Sequence, residues 1–267
     1  MITLTDEQNT AVQMTKDNRI SVIVGGPGVG KTTVTKQIVQ AAMSDGKIVS
    51  LCAPSGKAAR RLSEATGQTT STIHRLLEAR MEAGEFVFTR GKLVPLDCQL
   101  LICDETSMVS NDLAASLLRA VNSTKTKVLF VGDHNQLPSI GPGAVLRDML
   151  NCENIPHVNL EKIHRNSGDI VNSCHRIKDG LSYTPSAKLD PENGLNIRHI
   201  EQSNPKKIVE IIRDLISLRL PARGYDPIWD VQVLSPTNTR TAMSCEGINQ
   251  ALQEALNPSK PIEGTKF

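Results

Sequence analysis

The chain has 267 residues, 39% of them hydrophobic and 22% charged, and a net charge of +2. That balance suits a folded chain with a real core and excludes bulk disorder, and the length allows one large domain or two modest ones. No apolar run approaches the roughly 20 residues of a transmembrane span, and MITLTDEQNT lacks the basic-then-apolar pattern of a secretory signal.

In chain order, Ile20–Val24 reads as a strand and Lys31–Met43 as a helix. Ile48–Cys52 is a strand, Lys57–Ala65 a helix, Thr72–Arg80 a helix, Leu100–Cys103 a strand, Leu113–Val121 a helix and Val128–Val131 a strand. These strands are apolar at successive positions, as strands are when helices cover both faces of a parallel sheet. The alternation predicts an α/β fold with right-handed crossovers. Phe86–Val94 breaks the rhythm: β-rich arms around Arg90-Gly91 predict a hairpin insert at about 84–97. A second alternating block follows residue 158. It has a helix at Gly168–Lys178, a polar loop at Ser182–Asn193, a strand at Leu195–Ile200, a helix at Pro205–Leu218, a strand at Val231–Leu234 and a helix at Glu246–Leu256. The expected division is therefore 1–157 and 158–267. Six cysteines form no CxxC pair and no His pair stands at ligand spacing, which points away from disulfides and zinc and towards a reducing, cytoplasmic compartment.

Gly25-Gly26-Pro27-Gly28-Val29-Gly30-Lys31-Thr32 fits G-x-x-x-x-G-K-[ST] between a predicted strand and a predicted helix, the context that motif requires. Its glycines let backbone N–H groups wrap a phosphate chain at the positive end of the helix. Lys31 can reach the β- and γ-phosphates, Thr32 can ligate Mg²⁺, and Thr33, next in the chain, is counted with them as nucleotide-binding. Asp104-Glu105 closes the apolar strand Leu100–Cys103. There Asp104 can hold Mg²⁺ and Glu105 can polarise an attacking water as general base, although adjacent carboxylates alone are more often solvated surface. Gln136, in the loop after Val131, can touch a γ-phosphate or be an ordinary polar loop residue.

The order of segments is more specific than any one of them: P-loop, APSGKAARRL, TIHRLL, LLICDETSMV, VLFVGDHNQLPSIGPG, LEKIHRN. It resembles the superfamily 1 helicases, and most nearly their RecD-like branch, superfamily 1B, which includes the phage Dda type. The likeness runs from about Leu4 to Pro258. It implies a RecA-like P-loop NTPase lobe of α/β class, a partial second RecA-like lobe, and ATP with Mg²⁺ as substrate and cofactor. It further implies that Gln8 reads the adenine edge and that Arg165 reaches the γ-phosphate. Pro54, Ser55, Lys57, Thr72, His74 and Arg75 resemble the first lobe's contacts to single-stranded DNA, and Ser235, Pro236 and Thr237 those of the second. The hairpin falls where the family carries a short pin that helps part the duplex; a purely structural hairpin is the other reading.

The family pattern continues past Leu252–Pro258 with a small β-barrel, an HxxQG-type segment and a second catalytic arginine, none of which occurs before Phe267. The expectation is an ATP-dependent, 5′-to-3′ DNA helicase acting in recombination, repair or replication, represented by one complete lobe and part of another. The isolated chain is then a weak ATP hydrolase, completed by a carboxy-terminal half or by a nuclease or replication partner, with no membrane role. The alternatives are a nucleotide-gated single-strand binder without efficient unwinding and a P-loop ATPase acting on protein or in nucleic-acid packaging.

Overall fold

The computed structural model describes residues 4–161 and 168–257. The chain divides into two compact units, Met1–Tyr183 and Thr184–Phe267.

The first unit is built on six parallel strands: β1 (Ile20–Gly25), β2 (Val49–Ala53), β3 (Thr70–Thr72), β6 (Leu100–Cys103), β7 (Lys127–Gly132) and β8 (His157–Leu160), in the order β3-β2-β6-β7-β1-β8. Side chains alternate across the sheet, so each central strand feeds two cores. Val22, Val24, Leu101, Cys103, Val128 and Phe130 join one cluster, and Ile23, Leu100, Ile102, Leu129 and Val131 join the other. Helices α1 (Asp6–Asp17), α2 (Lys31–Ser44) and α3 (Gly56–Thr66) cover the second face through Ala11, Val34, Ile38 and Leu62. Helices α5 (Asn111–Arg119) and α6 (Val145–Leu150) cover the first through Ala114, Leu117, Val145 and Leu146. The expected α/β architecture is present.

Three local expectations need correction. The helix expected at Thr72–Arg80 is a four-residue turn, α4 (Ile73–Leu76), bounded by β3 and by Glu78 at φ +53°. The hairpin expected around Arg90-Gly91 is formed one segment earlier, by β4 (Ala79–Glu82) and β5 (Glu85–Phe88), with Ala79 opposite Phe88. Ala83 and Gly84 both take positive φ, 50° and 88°, the backbone twist that a two-residue hairpin turn favours. Arg90 instead closes the base of the hairpin, its Nε donating to Glu78 Oε1 at 2.8 Å. Third, β8 pairs with β1, Gly25 opposite Leu160, so the chain past residue 157 still belongs to the sheet. α7 (Asp169–Lys178) also falls in the first compact unit, which runs to Tyr183.

The second unit packs α8 (Pro205–Asp214) and its π-helical continuation Leu215–Arg219 against α9 (Cys245–Leu256), with Ile216 and Ile248 buried. The strands expected at Leu195–Ile200 and Val231–Leu234 do not form among the described residues. Leu195 makes only an isolated bridge to Asp190, and Leu234 is 83% exposed. An apolar run becomes a strand only when a neighbour completes its hydrogen-bond ladder.

Candidate functional site

The site forms at the carboxyl edge of the sheet, where parallel strands hand over to loops. β1 runs into the P-loop, and α2 starts from Gly30, which caps it at φ 87°; Gly28 stands at φ 81°. These positive values favour glycine. Gly25 is required for a different reason: a Cβ there would lie 2.6 Å from Val29 Cγ2 and 2.7 Å from the Leu160 carbonyl oxygen. The loop closes on itself through Lys31, whose Nζ donates to the carbonyls of Gly25 at 2.6 Å and Gly26 at 2.9 Å. The ammonium is thus already held inside the loop that the sequence assigns to phosphate.

Two strands away, β6 delivers Asp104 and Glu105. At about 4.8 Å per strand, β6 and β1 lie about 10 Å apart, with β7 between them. The Asp104 N–H donates to the Cys52 carbonyl at 2.9 Å, and its Oδ1 accepts the Glu105 N–H at 2.9 Å. Burial pushes the Asp104 carboxyl up to about 6; neighbouring Glu105 pushes the same way, while the Glu105 N–H and the Lys31 ammonium pull back. Glu105 has left-handed backbone, φ 52° and ψ 42°, a conformation that costs a non-glycine residue about 1–3 kcal/mol. Its Oε2 is buried without a hydrogen-bond partner among the described residues. Strain and an orphaned carboxylate oxygen thus coincide in one residue.

A cavity of about 760 Å³ opens over this edge. Gly26, Pro27 and Val29 of the P-loop line one side, Asp133–Gln136 after β7 another, and Asn159–Glu161 after β8 a third. Its size is within the range of small-molecule sites. Gln136 therefore faces the same space as the P-loop. The Asp133 carboxylate, nearly buried, accepts the Asn135 N–H at 3.0 Å and shapes this loop. The remaining wall is Cys174, His175, Ile177 and Lys178 of α7. No motif marks these residues; helical periodicity shows which of them share a face but not what that face meets. Gln8 is the N3 residue of α1, with its Oε1 accepting the Thr5 N–H at 3.1 Å in a reciprocal capping box. Glu7, its neighbour, accepts the Glu161 N–H. Arg165 lies outside the described residues.

The residues compared with DNA contacts divide into two sets. In the first unit, β2 and β3 run side by side with Ala53 opposite Thr72, so Pro54-Ser55 and Thr72–Arg75 emerge together at the same carboxyl edge. Ser55 Oγ caps α3 by accepting the Ala58 N–H, and Thr72 Oγ1 caps α4 by accepting the Arg75 N–H. Lys57 and Arg75 are exposed. His74 instead packs on the hairpin, its ring 4.7 Å from that of Phe86 and 6.0 Å from that of Phe88. In the second unit, Ser235 Oγ donates to the Met243 carbonyl at 2.6 Å, pinning the Ser235-Pro236-Thr237 turn.

Residues 3–190 match the family described as AAA domain. Over 260 residues, 96% of this chain and 33% of the relative, the sequence is 35% identical to the ATP-dependent RecD2 DNA helicase of Deinococcus radiodurans. It is 31% identical over 180 residues to the ATP-dependent DNA helicase dda of Enterobacteria phage T4, covering 64% of this chain and 41% of that one. Among solved structures, Bacteroides Pif1 bound to ssDNA superposes with a TM-score of 0.50 at 23% identity, over 80% of this chain and 56% of that one; it supports the fold. The chain spans about a third of the length of the RecD2 relative it matches. With residues 3–190 matched and the P-loop, Asp104-Glu105 and Gln136 gathered on one sheet edge, the chain belongs to the AAA domain family and is similar to the RecD2 and Dda helicases.

Proposed function

We propose that the chain is the ATP-hydrolysing portion of a 5′-to-3′ DNA helicase, coupling ATP turnover to movement on single-stranded DNA. The observation that carries this reading is the shared carboxyl edge: the P-loop, Asp104-Glu105 and Gln136 follow the carboxyl ends of the neighbouring parallel strands β1, β6 and β7, and the Ala53–Thr72 register brings two further loops to the same edge. ATP binding exchanges the loop carbonyls around Lys31 for phosphate oxygens. Thr32 and Asp104 would hold Mg²⁺, which supplies neutralisation of phosphate charge when bound. One carboxylate and one hydroxyl suit a cation that keeps several waters, and the Asp104 carboxyl, raised by burial, gains most from an adjacent positive charge. Glu105 takes a proton from the attacking water through the oxygen that has no partner among the described residues. Gln136 reports the γ-phosphate, and Gln8 and Arg165 keep the adenine and γ-phosphate roles implied by the resemblance. Ser55, Thr72 and Arg75, with Pro54 and Lys57, face backbone phosphates without reading sequence, while His74 braces the hairpin beside them; Ser235-Pro236-Thr237 is the matching contact of the second unit. The division of the chain into a P-loop unit and a partial second lobe belongs to the same reading.

The test is the ATPase rate with and without oligothymidylate. Stimulation by DNA that disappears in Lys31→Ala supports the proposal. DNA binding without turnover favours a nucleotide-gated binder, and turnover indifferent to DNA favours another P-loop ATPase.

A further inference from the structure

At the opposite edge of the sheet lies a second cavity, of about 150 Å³, that plays no part in the nucleotide site. It sits beside Leu100 and Lys127, the first residues of β6 and β7. Six residues of β7 separate it from the loop that holds Gln136, about 20 Å at the rise of a strand. Its floor is apolar: Val12, Ile38, Ala42 and Leu100. Four lysines ring the mouth: Lys16 at the end of α1, Lys47 before β2, and Lys125 and Lys127 around the start of β7.

The charge balance decides what this mouth attracts. Asp45 also lines it, 3.4 Å from the Lys47 ammonium. α1 and α2 both end here, each carboxyl end carrying about half a negative charge. Lys127 donates to the Lys16 carbonyl at the end of α1. These groups offset about two of the four ammoniums. Lys16 and Lys125, both exposed, make no ion pair among the described residues. An apolar cavity of this volume takes one benzene-sized group, and the unpaired cations stand on separate segments of its lining, the end of α1 and the turn before β7.

We propose that this cavity docks an acidic peptide segment of a partner protein, one apolar side chain filling the floor and flanking carboxylates meeting Lys16 and Lys125. A single small anion would leave the apolar floor unfilled. Among the described residues no aromatic ring lines the cavity, so stacked nucleic-acid bases have no platform there. The site is independent of the nucleotide chemistry above, and a partner seated on it leaves the P-loop open.

The probe is a short fluorescein-labelled peptide of aspartates ending in leucine and phenylalanine, titrated into the protein and followed by fluorescence anisotropy. Saturable binding is expected with Kd of about 10–100 µM. Ala41→Phe, which fills the cavity from α2, weakens it by about tenfold or more, the share of one buried apolar side chain. Lys16→Glu with Lys125→Glu weakens it as strongly and removes its salt dependence. Melting temperature and binding of a labelled ATP analogue serve as fold controls, and the charge-reversal pair keeps the test open should Ala41→Phe fail to fold. The proposal is overturned by absence of saturable binding. It is equally overturned by equal binding of a lysine-for-aspartate peptide, by indifference to both variants, or by displacement of the probe by oligothymidylate, which would give the mouth to nucleic acid.

Discussion

Two adjacent glycines of the P-loop should respond to alanine in opposite ways. At Gly25 the added methyl would stand 2.6 Å from Val29 Cγ2 and 2.7 Å from the Leu160 carbonyl oxygen. Val29 could turn aside, but the oxygen belongs to β8, whose Leu160 is the register partner of Gly25. Relief requires the edge strand to move. Overpacking of this kind costs about 1–3 kcal/mol, and at about 2–4 °C per kcal/mol for a unit of this size the melting temperature falls by about 2–12 °C. At Gly26 a methyl meets nothing within 4 Å, and the residue is absent from the positive-φ glycines. Gly26→Ala should melt with the parent protein or slightly above it, because alanine restricts the unfolded chain. The Gly25 carbonyl also accepts from Lys31 Nζ, so Gly25→Ala should lower affinity for a labelled ATP analogue as well. Circular dichroism melts of both variants, with analogue titration, are the assay. Equal melting temperatures for Gly25→Ala and the parent, or an equal fall for Gly26→Ala, would refute the argument that β8 backs the P-loop.

Asp104→Asn tests the buried carboxylate. Because burial raises its pKa from the ordinary value to about 6, the folded state disfavours the charged form, and the parent loses stability as pH rises through that interval. The asparagine variant should therefore be no more stable near pH 4 and more stable by about 1–3 kcal/mol near pH 7.5 in urea titrations, while losing Mg²⁺-dependent ATP turnover; a pH-independent difference contradicts this. His74→Ala removes two ring contacts that tie the hairpin to α4, worth about 0.5–1.5 kcal/mol. Hydrogen exchange of the Arg80 and Val87 amides should then quicken by about two- to tenfold while β1 and β7 stay protected, and unchanged hairpin protection would count against the tie. Ser55→Ala takes the side-chain cap from α3 and should cost about 0.5–2 kcal/mol in the same titrations; a loss within error would mean that water replaces the cap.

What could be read in the sequence was what short stretches decide for themselves. The P-loop was legible because its glycines, lysine and threonine lie within eight positions and the phosphate chemistry needs all of them together. The central strands were legible because burial on both faces leaves an uninterrupted apolar run, as in Leu100–Cys103. α1 is absent from the elements read from the sequence, although Thr5 and Gln8 stand at capping-box spacing. The hairpin was misplaced because composition favours Phe86–Val94, whereas the turn is set by which residues accept positive φ, here Ala83 and Gly84. β8 gave no sign at all: His157–Leu160 becomes a strand by pairing with β1, a segment more than a hundred residues away.

The same distinction applies within the site. Adjacency placed Asp104 and Glu105 after a buried strand, but not the backbone that aims Glu105. Around that backbone, neighbours both near and distant in sequence pack. Thr106 Oγ1 donates to the Cys103 carbonyl at 3.0 Å and tightens the turn after Glu105. Gly132, at the end of β7, lets the turn approach so closely that a Cβ there would lie 3.3 Å from the Thr106 nitrogen and 2.8 Å from Leu146 Cδ2. The turn that follows Glu105 thus packs tightly against a glycine of the adjacent strand, with a leucine of α6 on the same glycine. A carboxylate held at this cost, with one oxygen unpartnered, is a property of three segments packed together, which is why the motif could name the residue and not its geometry.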